Sequence, residues 1–266
     1  MSTIITRDIP QGALAPYENL TRRQLAAQDR FIAESVPVIE AALEAGLTPL
    51  SLLCEQRHVE GKAAQLISRL GDVPVYAPPD EEIRALTGYE LFRGVLCEMQ
   101  RPRALSLDEA LGGARSCAVL EDVSDETNLG AIFRSAAALG VGAVLLTPGA
   151  GDPYSRRSAR VSMGAVFRVP FARIGEISEG GALALSDRGF TLCALALDES
   201  SAPIDGFSCS RPAILLGNEG RGLRPETLRC CPEHLIIPMH HGMDSLNVSA
   251  AAAVAFWELV GKRQKP

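Results

Sequence analysis

The sequence predicts an α/β fold in two parts, a small α/β unit followed by a larger unit built on a parallel sheet. The chain has 266 residues, which is enough for two modest domains with their own cores. Its content of hydrophobic residues, 47%, and of charged residues, 22%, is ordinary for a globular protein. From about Leu107 onward, short apolar runs alternate with helical stretches, which is typical of strands covered on both faces.

The first part, roughly residues 20–100, is predicted to alternate helices and strands. Ser35 is placed to cap a helix that has Pro37 in its first turn and ends at Gly46. The other candidate elements are strands at 49–54, 73–76 and 94–99 and helices at 58–70 and 80–86. The stretch 100–103 is the best linker, so we expect one domain at 1–103 and a second at 104–266.

The second part is predicted to hold a sheet and a long last helix. Its candidate strands lie at 117–120, 143–146, 168–170, 191–197, 213–216 and 235–237, and its candidate helices at 129–139 and 245–260. Ligands of open α/β sheets bind at the carboxyl ends of the strands. The loops that follow these strands are therefore where chemistry is expected.

Composition argues against several classes of protein. The N-terminal segment has charges and prolines where a signal peptide has an apolar run, and the apolar stretch at 248–256 is too short to span a bilayer. We therefore expect a cytoplasmic protein without a membrane span. The net charge of −6 argues against a general nucleic-acid coat protein. Seven scattered cysteines indicate free thiols, and the group Cys230, Cys231 and His234 matches a metal site poorly.

The first unusual loop follows the candidate strand at 117–120. Asn128 lies at the start of the predicted helix, and Arg134 lies almost two turns further on. A helix start and a guanidinium group together are suited to binding phosphate. The structural alternative makes Asn128 a helix cap and Arg134 a solvated side chain.

The second unusual loop, at 215–223, continues an apolar strand into three glycines within six residues. Glycine permits a positive φ or a close approach of a ligand to the backbone. Glu219 lies between these glycines and next to apolar strand residues, so its carboxylate is either paired or takes part in chemistry.

The third unusual loop, at 237–250, ends a strand and starts a helix with Ser245 and Asn247. Small apolar residues follow at 250–255, which allow close packing against a cofactor or another subunit. His240 and His241 are candidates for acid–base catalysis, although adjacent histidines in a loop are more often merely exposed.

The three loops, in this order and at these separations, resemble the signature motifs of the SpoU (TrmH) family of RNA 2′-O-ribose methyltransferases, in the SPOUT superfamily. The resemblance covers about 117–260, and the segment 160–170 resembles the middle region of the family. The first part resembles the L30e-like RNA substrate-binding domain that often precedes this catalytic domain. One departure stands in the third motif, where many relatives have a glycine and this chain has His241, one residue before Gly242.

The resemblance implies a fold, a cofactor and an assembly. The fold is a SPOUT-type parallel sheet with a C-terminal trefoil knot, and the cofactor is S-adenosyl-L-methionine (SAM), with no metal. The assembly is a homodimer, with the alanine-rich last helix at its interface. The residues that are implied to line the adenosine site are Leu216, Gly217, Ile237, Met239 and Leu246.

The implied reaction transfers a methyl group to a ribose 2′-hydroxyl of structured RNA, with rRNA favoured over tRNA. Arg134 is the implied group that holds the substrate phosphate and stabilises developing negative charge. Asn128, Ser245 and Asn247 are implied to orient the ribose and the cofactor. Glu219 is implied to fix Arg134 or its own loop through an ion pair.

The expected RNA surface is a run of arginines without an intervening acidic residue: Arg156, Arg157, Arg160, Arg168 and Arg173, joined by Arg101 and Arg103 of the linker. An ordinary solvated basic face is the alternative for this run. Two other functions stay open at this point. One is a catalytically inactive RNA-binding or ribosome-associated protein with the same knotted fold, and the other is a knotted methyltransferase that acts on an RNA base.

Overall fold

The structure is a computed structural model that describes residues 4–6, 8–18, 22–88, 94–198 and 201–263. The chain divides into two compact units. The first comprises Met1–Arg103 and Tyr154–Phe167, and the second comprises Ala104–Pro153 and Arg168–Pro266. One boundary lies after Arg103, at the linker that the sequence suggested. The sequence analysis placed only this one boundary, so it did not predict that Tyr154–Phe167 belongs to the first unit.

The described strands are short, as expected for covered sheets. They are β1 (Ile4–Ile5), β2 (Arg30–Glu34), β3 (Pro49–Cys54), β4 (Val75–Tyr76), β5 (Val95–Gln100), β6 (Cys117–Leu120), β7 (Ala143–Leu146), β8 (Phe171–Arg173), β9 (Thr191–Leu195), β10 (Ala202–Pro203), β11 (Pro212–Leu216) and β12 (Glu233–Ile236).

Two of the described α-helices are longer than ten residues, and both belong to the second unit. The helices are α1 (Arg22–Ala27), α2 (Val36–Glu44), α3 (Gln56–Val59), α4 (Ala64–Arg69), α5 (Asp80–Thr87), α6 (Leu107–Leu111), α7 (Glu126–Leu139), α8 (Arg156–Val161), α9 (Gly181–Ser186), α10 (Pro225–Arg229) and α11 (Val248–Leu259). Single 3₁₀ turns lie at Ala15–Tyr17, Ala165–Phe167, Ile177–Glu179 and Gly261–Arg263.

The first unit is built on a mixed five-stranded sheet in the order β1-β4-β3-β5-β2. Strand β4 pairs in parallel with β1 and β3, whereas β5 is antiparallel to both β2 and β3. The helix predicted at 58–70 is wrong as a continuous element, because the chain forms two short helices, α3 and α4, around Gly61. Glycine is a poor residue for the interior of a helix.

The second unit is built on a seven-stranded sheet in the order β10-β12-β9-β11-β6-β7-β8, and every neighbouring pair is parallel. Val119, Leu145 and Leu215 of the central strands are fully buried, as helices cover both faces of such a sheet. The predicted α/β class with a parallel sheet is confirmed. The C-terminal knot stays a prediction.

Two expectations about the ends of elements in the second unit are wrong. The strand predicted at 168–170 begins only at Phe171, just after Pro170, which has no N–H to donate to a ladder. The last helix begins at Val248 rather than at Ser245, because Asn247 caps it and so ends the preceding loop.

Candidate active site

The three unusual loops meet at one edge of the parallel sheet. Strands β12, β9, β11 and β6 are neighbours in that order and run in the same direction, so their carboxyl ends share this edge. Asn128 lies in the first turn of the helix that follows β6, and Glu219 and Asn247 lie in the loops after β11 and β12. Parallel pairing thus brings together residues that are far apart in the sequence.

Asn128, Glu219 and Asn247, which we call the polar trio, are joined by hydrogen bonds. The Asn128 side-chain amide donates from Nδ2 to Oε1 of Glu219 at 2.9 Å. The Asn247 amide donates from Nδ2 to Oδ1 of Asn128 at 3.0 Å. The bonds run in one direction, from Asn247 through Asn128 to the carboxylate, and such chains polarise one another.

Helix starts fix the orientation of both amides. Asp125 caps α7 by accepting from the Asn128 backbone N–H at 2.8 Å, so Asn128 is the third residue of the helix and not its cap. Asn247 caps α11, and its Oδ1 accepts from the backbone N–H of Ser249 at 2.9 Å. Because that oxygen is engaged, the NH₂ group of Asn247 is the part directed at Asn128.

The loop that carries Glu219 is held by its own side chains and by the end of β6. Asn218 donates from Nδ2 to the backbone oxygen of Asp122 at 3.0 Å. Its Oδ1 accepts from the N–H groups of Gly220 at 3.0 Å and Arg221 at 3.2 Å. A backbone bridge from Asn218 to Gly222 closes the loop. These bonds present Glu219 toward the start of α7.

Two acidic residues at the end of β6, which the sequence analysis missed, hold the segment after the Glu219 loop in place. Glu121 accepts from the Arg224 backbone N–H at 2.9 Å and from Thr227 Oγ1 at 2.5 Å. Asp122, which has a positive φ of 56°, pairs with the Arg224 guanidinium at 2.5 Å and so raises the pKa of Arg224. The sequence did contain a signal for them, since two carboxylates directly follow a buried strand. Charged groups in such a position need partners in the fold.

A cleft of about 670 Å³ opens beside the polar trio. It lies within the second unit and is bordered by the ends of β9, β11 and β12 and by the loops that follow β11 and β12. All five residues expected at the adenosine site line it, namely Leu216, Gly217, Ile237, Met239 and Leu246, and so do Glu219, Ser245 and Asn247. The volume and the mixed polar and apolar lining fit a nucleoside-sized ligand, because ligand pockets span roughly 300–1,000 Å³.

Arg134 is exposed on α7 and makes no hydrogen bond or ion pair with the part of the chain that the structure describes. It lies six residues after Asn128, a rise of about 9 Å along the helix axis. Long side chains of a helix point back toward its N-terminus, which is the end of α7 that carries Asn128. The expected ion pair with Glu219 is absent from the described residues, since the carboxylate accepts from Asn128 instead.

His240 and His241 are exposed, and neither lines the cleft. His241 has a positive φ of 57° and is followed by Gly242 with a φ of 71°. His241 thus has the left-handed backbone that favours glycine. A side chain in this conformation carries a cost of roughly 1–2 kcal/mol.

We expect His241→Gly to raise the free energy of unfolding by about 0.5 kcal/mol, because relief of backbone strain outweighs the greater freedom of glycine in the unfolded chain. Methyl transfer is expected to stay within about twofold for this variant and for His240→Ala. Denaturant unfolding and transfer assays across pH measure both effects. Gly242→Ala is the matched control and should lower stability. A tenfold loss of transfer in either histidine variant would assign acid–base catalysis to that histidine.

The arginines of the expected RNA surface have different surroundings in the two units. In the first unit, Arg160 Nη1 lies 3.0 Å from the buried Glu34 carboxylate and Arg156 Nε lies 3.6 Å from it. In the second unit, Arg173 donates to the backbone oxygens of Ala150 and Gly151. Arg157 and Arg168 are exposed. Arg156 and Arg160 therefore compensate a buried carboxylate, which reduces the positive charge they offer to phosphate.

The remaining expectations concern membranes, thiols and metals. In the described ranges, no helix combines the length and apolarity that crossing a bilayer requires. All seven cysteines are described, none of them is joined to another by a disulfide, and five of them are buried. The thiol groups of Cys230 and Cys231 each donate to a backbone oxygen of α10. No group of three metal-ligating side chains occurs among the residues at 4–6, 8–18, 22–88, 94–198 and 201–263.

Known proteins with similar sequences and structures share this site region. Residues 116–257 match the SpoU rRNA Methylase family. The chain is 40% identical over 233 residues to an uncharacterized tRNA/rRNA methyltransferase of Mycobacterium bovis, covering 85% of this chain and 79% of the relative. It is 30% identical over 189 residues to the 23S rRNA (guanosine-2′-O-)-methyltransferase RlmB of Acinetobacter baylyi, covering 69% and 76%.

The fold is similar to that of the SpoU methyltransferase AviRb from Streptomyces viridochromogenes, solved in complex with its cofactor AdoMet. The TM-score is 0.81 at 22% identity, and the match covers 96% of this chain and 98% of AviRb. The fold and the site together define the class of SAM-dependent RNA methyltransferases of the SPOUT type. Within that class, the chain belongs to the SpoU rRNA methylase family.

Proposed function

We propose that this protein transfers the methyl group of SAM to a ribose 2′-hydroxyl of structured RNA, with ribosomal RNA as the favoured substrate. The observation that carries the proposal is the convergence of three distant loops, which places the polar trio at the rim of an apolar cleft. The likeness to RlmB, a 23S rRNA 2′-O-methyltransferase, supports ribose over base and rRNA over tRNA.

The cleft is the proposed site of the cofactor. When bound, SAM supplies a methyl group made electrophilic by its sulfonium sulfur. Leu216, Ile237 and Leu246 provide the apolar contacts for its adenosine, and backbone groups around Gly217 and Met239 provide the polar ones. Ser245 lines the same cleft next to the trio and orients the ligand from the third loop.

The trio and Arg134 act on the RNA ribose. A 2′-hydroxyl is barely acidic, so its oxygen needs positioning and stabilisation as its proton leaves. The carboxylate of Glu219 fixes the orientation of Asn128, and the start of α11 fixes that of Asn247. Both amides are therefore preorganised and need not reorient during the reaction. Arg134 holds the adjoining phosphate and stabilises the developing negative charge.

The test is the product of methylation. The chain is incubated with labelled SAM and either 23S rRNA or a tRNA pool, and the RNA is digested to nucleosides for mass spectrometry. We expect a 2′-O-methylnucleoside from rRNA, in strongly reduced amount with the Arg134→Ala variant. A methylated base would replace the proposal with a base methyltransferase. Binding of RNA without binding of SAM in calorimetry would indicate a catalytically inactive relative.

The first unit is proposed to be the L30e-like domain that selects the RNA. Its α8, with Arg156, Arg157 and Arg160, belongs to this unit although it follows the first part of the catalytic domain in sequence. Arg101 lies with its guanidinium 5.0 Å from the centre of the Tyr154 ring, in the same unit. Aromatic rings and arginines suit RNA that is read by shape and stacking.

A homodimer through α11 is the proposed assembly. Val254 and Trp257 of this helix are 39% and 51% exposed, which is unusual for large apolar side chains on one helix face. Trp257→Glu is expected to shift the protein from dimer to monomer in analytical ultracentrifugation, because it places a charge in an apolar contact. Lys262→Ala, at the exposed end of the chain beyond α11, is the control. A wild-type monomer at micromolar concentration would contradict the dimer.

The cytoplasmic location stays a prediction.

A further inference from the structure

Asp198, in the loop after β9, is an acidic residue at the cleft that none of the three motif loops contains. Its side chain borders the cleft together with Leu195 and Leu197 and is about one third exposed, at 35%. The other carboxylate that lines the cleft is Glu219, and Glu219 accepts from Asn128. The partly exposed carboxylate is thus accessible to a ligand in the cleft.

His234 of β12 holds Asp198 in place. Its Nδ1 lies 3.1 Å from Oδ2 of Asp198, and its Nε2 lies 3.0 Å from the backbone oxygen of Leu228. Both ring nitrogens of His234 are therefore engaged with oxygen atoms. The contacts join the loop after β9 to α10 and fix the direction of one carboxylate oxygen. The Asp198 side chain therefore has a fixed position in the wall of the cleft.

The order of the strands separates Asp198 from Asn128, whereas the loops with Glu219 and Asn247 follow β11 and β12, the two neighbours of β9. Strand β9 is separated from β6 by β11 alone, which corresponds to about 10 Å between the two strand ends. Leu195, Leu216 and Leu235 border the cleft on this side and form a surface suited to a flat base. The part of a nucleoside next to its base is the ribose, whose two hydroxyls match a carboxylate acceptor.

We infer that Asp198, positioned by His234, accepts hydrogen bonds from the ribose hydroxyls of the bound SAM and so selects a ribonucleoside cofactor. The inference rests on the proposed function, because it assigns a residue to the same cofactor cleft. It adds a second carboxylate to a cleft that Glu219, Ser245 and Asn247 also line. It also assigns His234 the role of a positioning residue.

The test compares two ligands that share the ribose and differ at the other end. S-adenosylhomocysteine carries the amino acid group, and 5′-methylthioadenosine lacks it. Affinities of both for wild-type protein and for Asp198→Asn are measured by calorimetry, with displacement for the weaker ligand. We expect the variant to bind both about tenfold more weakly, and by the same factor, because a hydrogen bond to a charged acceptor is lost. Thermal unfolding without ligand shows whether the variant is folded.

Asp205→Asn is the matched control, because Asp205 is exposed and does not line the cleft. Equal affinities of wild type and Asp198→Asn would overturn the inference while leaving the proposed function intact. A loss confined to S-adenosylhomocysteine would also overturn it, since the carboxylate would then bind the ammonium group. If wild-type protein bound neither ligand, the cofactor assignment itself would fail, and this inference with it. As a check that needs no variant, 5′-methylthioadenosine without its 2′-hydroxyl should bind wild type several-fold more weakly.

Discussion

Replacement of Arg134 by alanine is expected to reduce methyl transfer by a factor of about 10²–10³ while SAM binds almost as before. The guanidinium is exposed, has no partner among the described residues and does not line the cleft, so its loss leaves the cofactor site and the packing of α7 unchanged. The predicted size of the effect is that of removing one group that stabilises developing charge. Single-turnover transfer and calorimetry with SAM measure the two properties separately.

Two further variants sharpen this result. Arg134→Lys keeps the positive charge but loses the planar guanidinium group. If this group binds phosphate through two hydrogen bonds, methyl transfer by Arg134→Lys should lie between that of Arg134→Ala and that of wild type. Arg229→Ala removes an arginine that is 69% exposed on α10 and should leave transfer unchanged. Survival of transfer in Arg134→Ala would remove the residue from the mechanism. A parallel loss of SAM affinity would make its role structural.

Gly217→Ala is expected to lower the free energy of unfolding by about 1–3 kcal/mol and to weaken SAM binding at least tenfold. A Cβ atom at this position would lie 2.2 Å from the carbonyl carbon of Gly222 and 2.3 Å from the nitrogen of Leu223. Both are backbone atoms, so the loop that carries Glu219 has to move as a whole. Denaturant unfolding and calorimetry measure the two effects.

Gly220→Ala is the matched control, because it adds the same methyl group to the same loop. Its Cβ atom would meet only the Asn218 side chain, at an ordinary contact distance of 3.6 Å. The free energy of unfolding is expected to change by no more than about 0.5 kcal/mol. Equal stability of the two variants would show that the close approach at Gly217 does not constrain the loop.

Hydrophobic patterning and turn residues predicted five of the seven strands of the second unit, whereas β8 was misplaced and β10 was missed. Strands at 117–120 and 143–146 match β6 and β7 because continuous apolar runs bounded by turns leave few alternatives. The strand at 168–170 was misplaced because apolar residues on both sides of Pro170 give the same local signal. Strand β2 was missed because the helix that follows it dominates the pattern.

The sequence by itself determined the parallel sheet, the three motif loops and the family that they resemble, since these depend on local patterns along the chain. Only the tertiary structure decided which partners the functional side chains have. Glu219 accepts from Asn128 rather than from Arg134, and Arg160 lies against the buried Glu34. Such pairs join residues about a hundred positions apart. Strand order and the need to compensate buried charge decide which residues pair, and a short stretch of sequence contains neither kind of information.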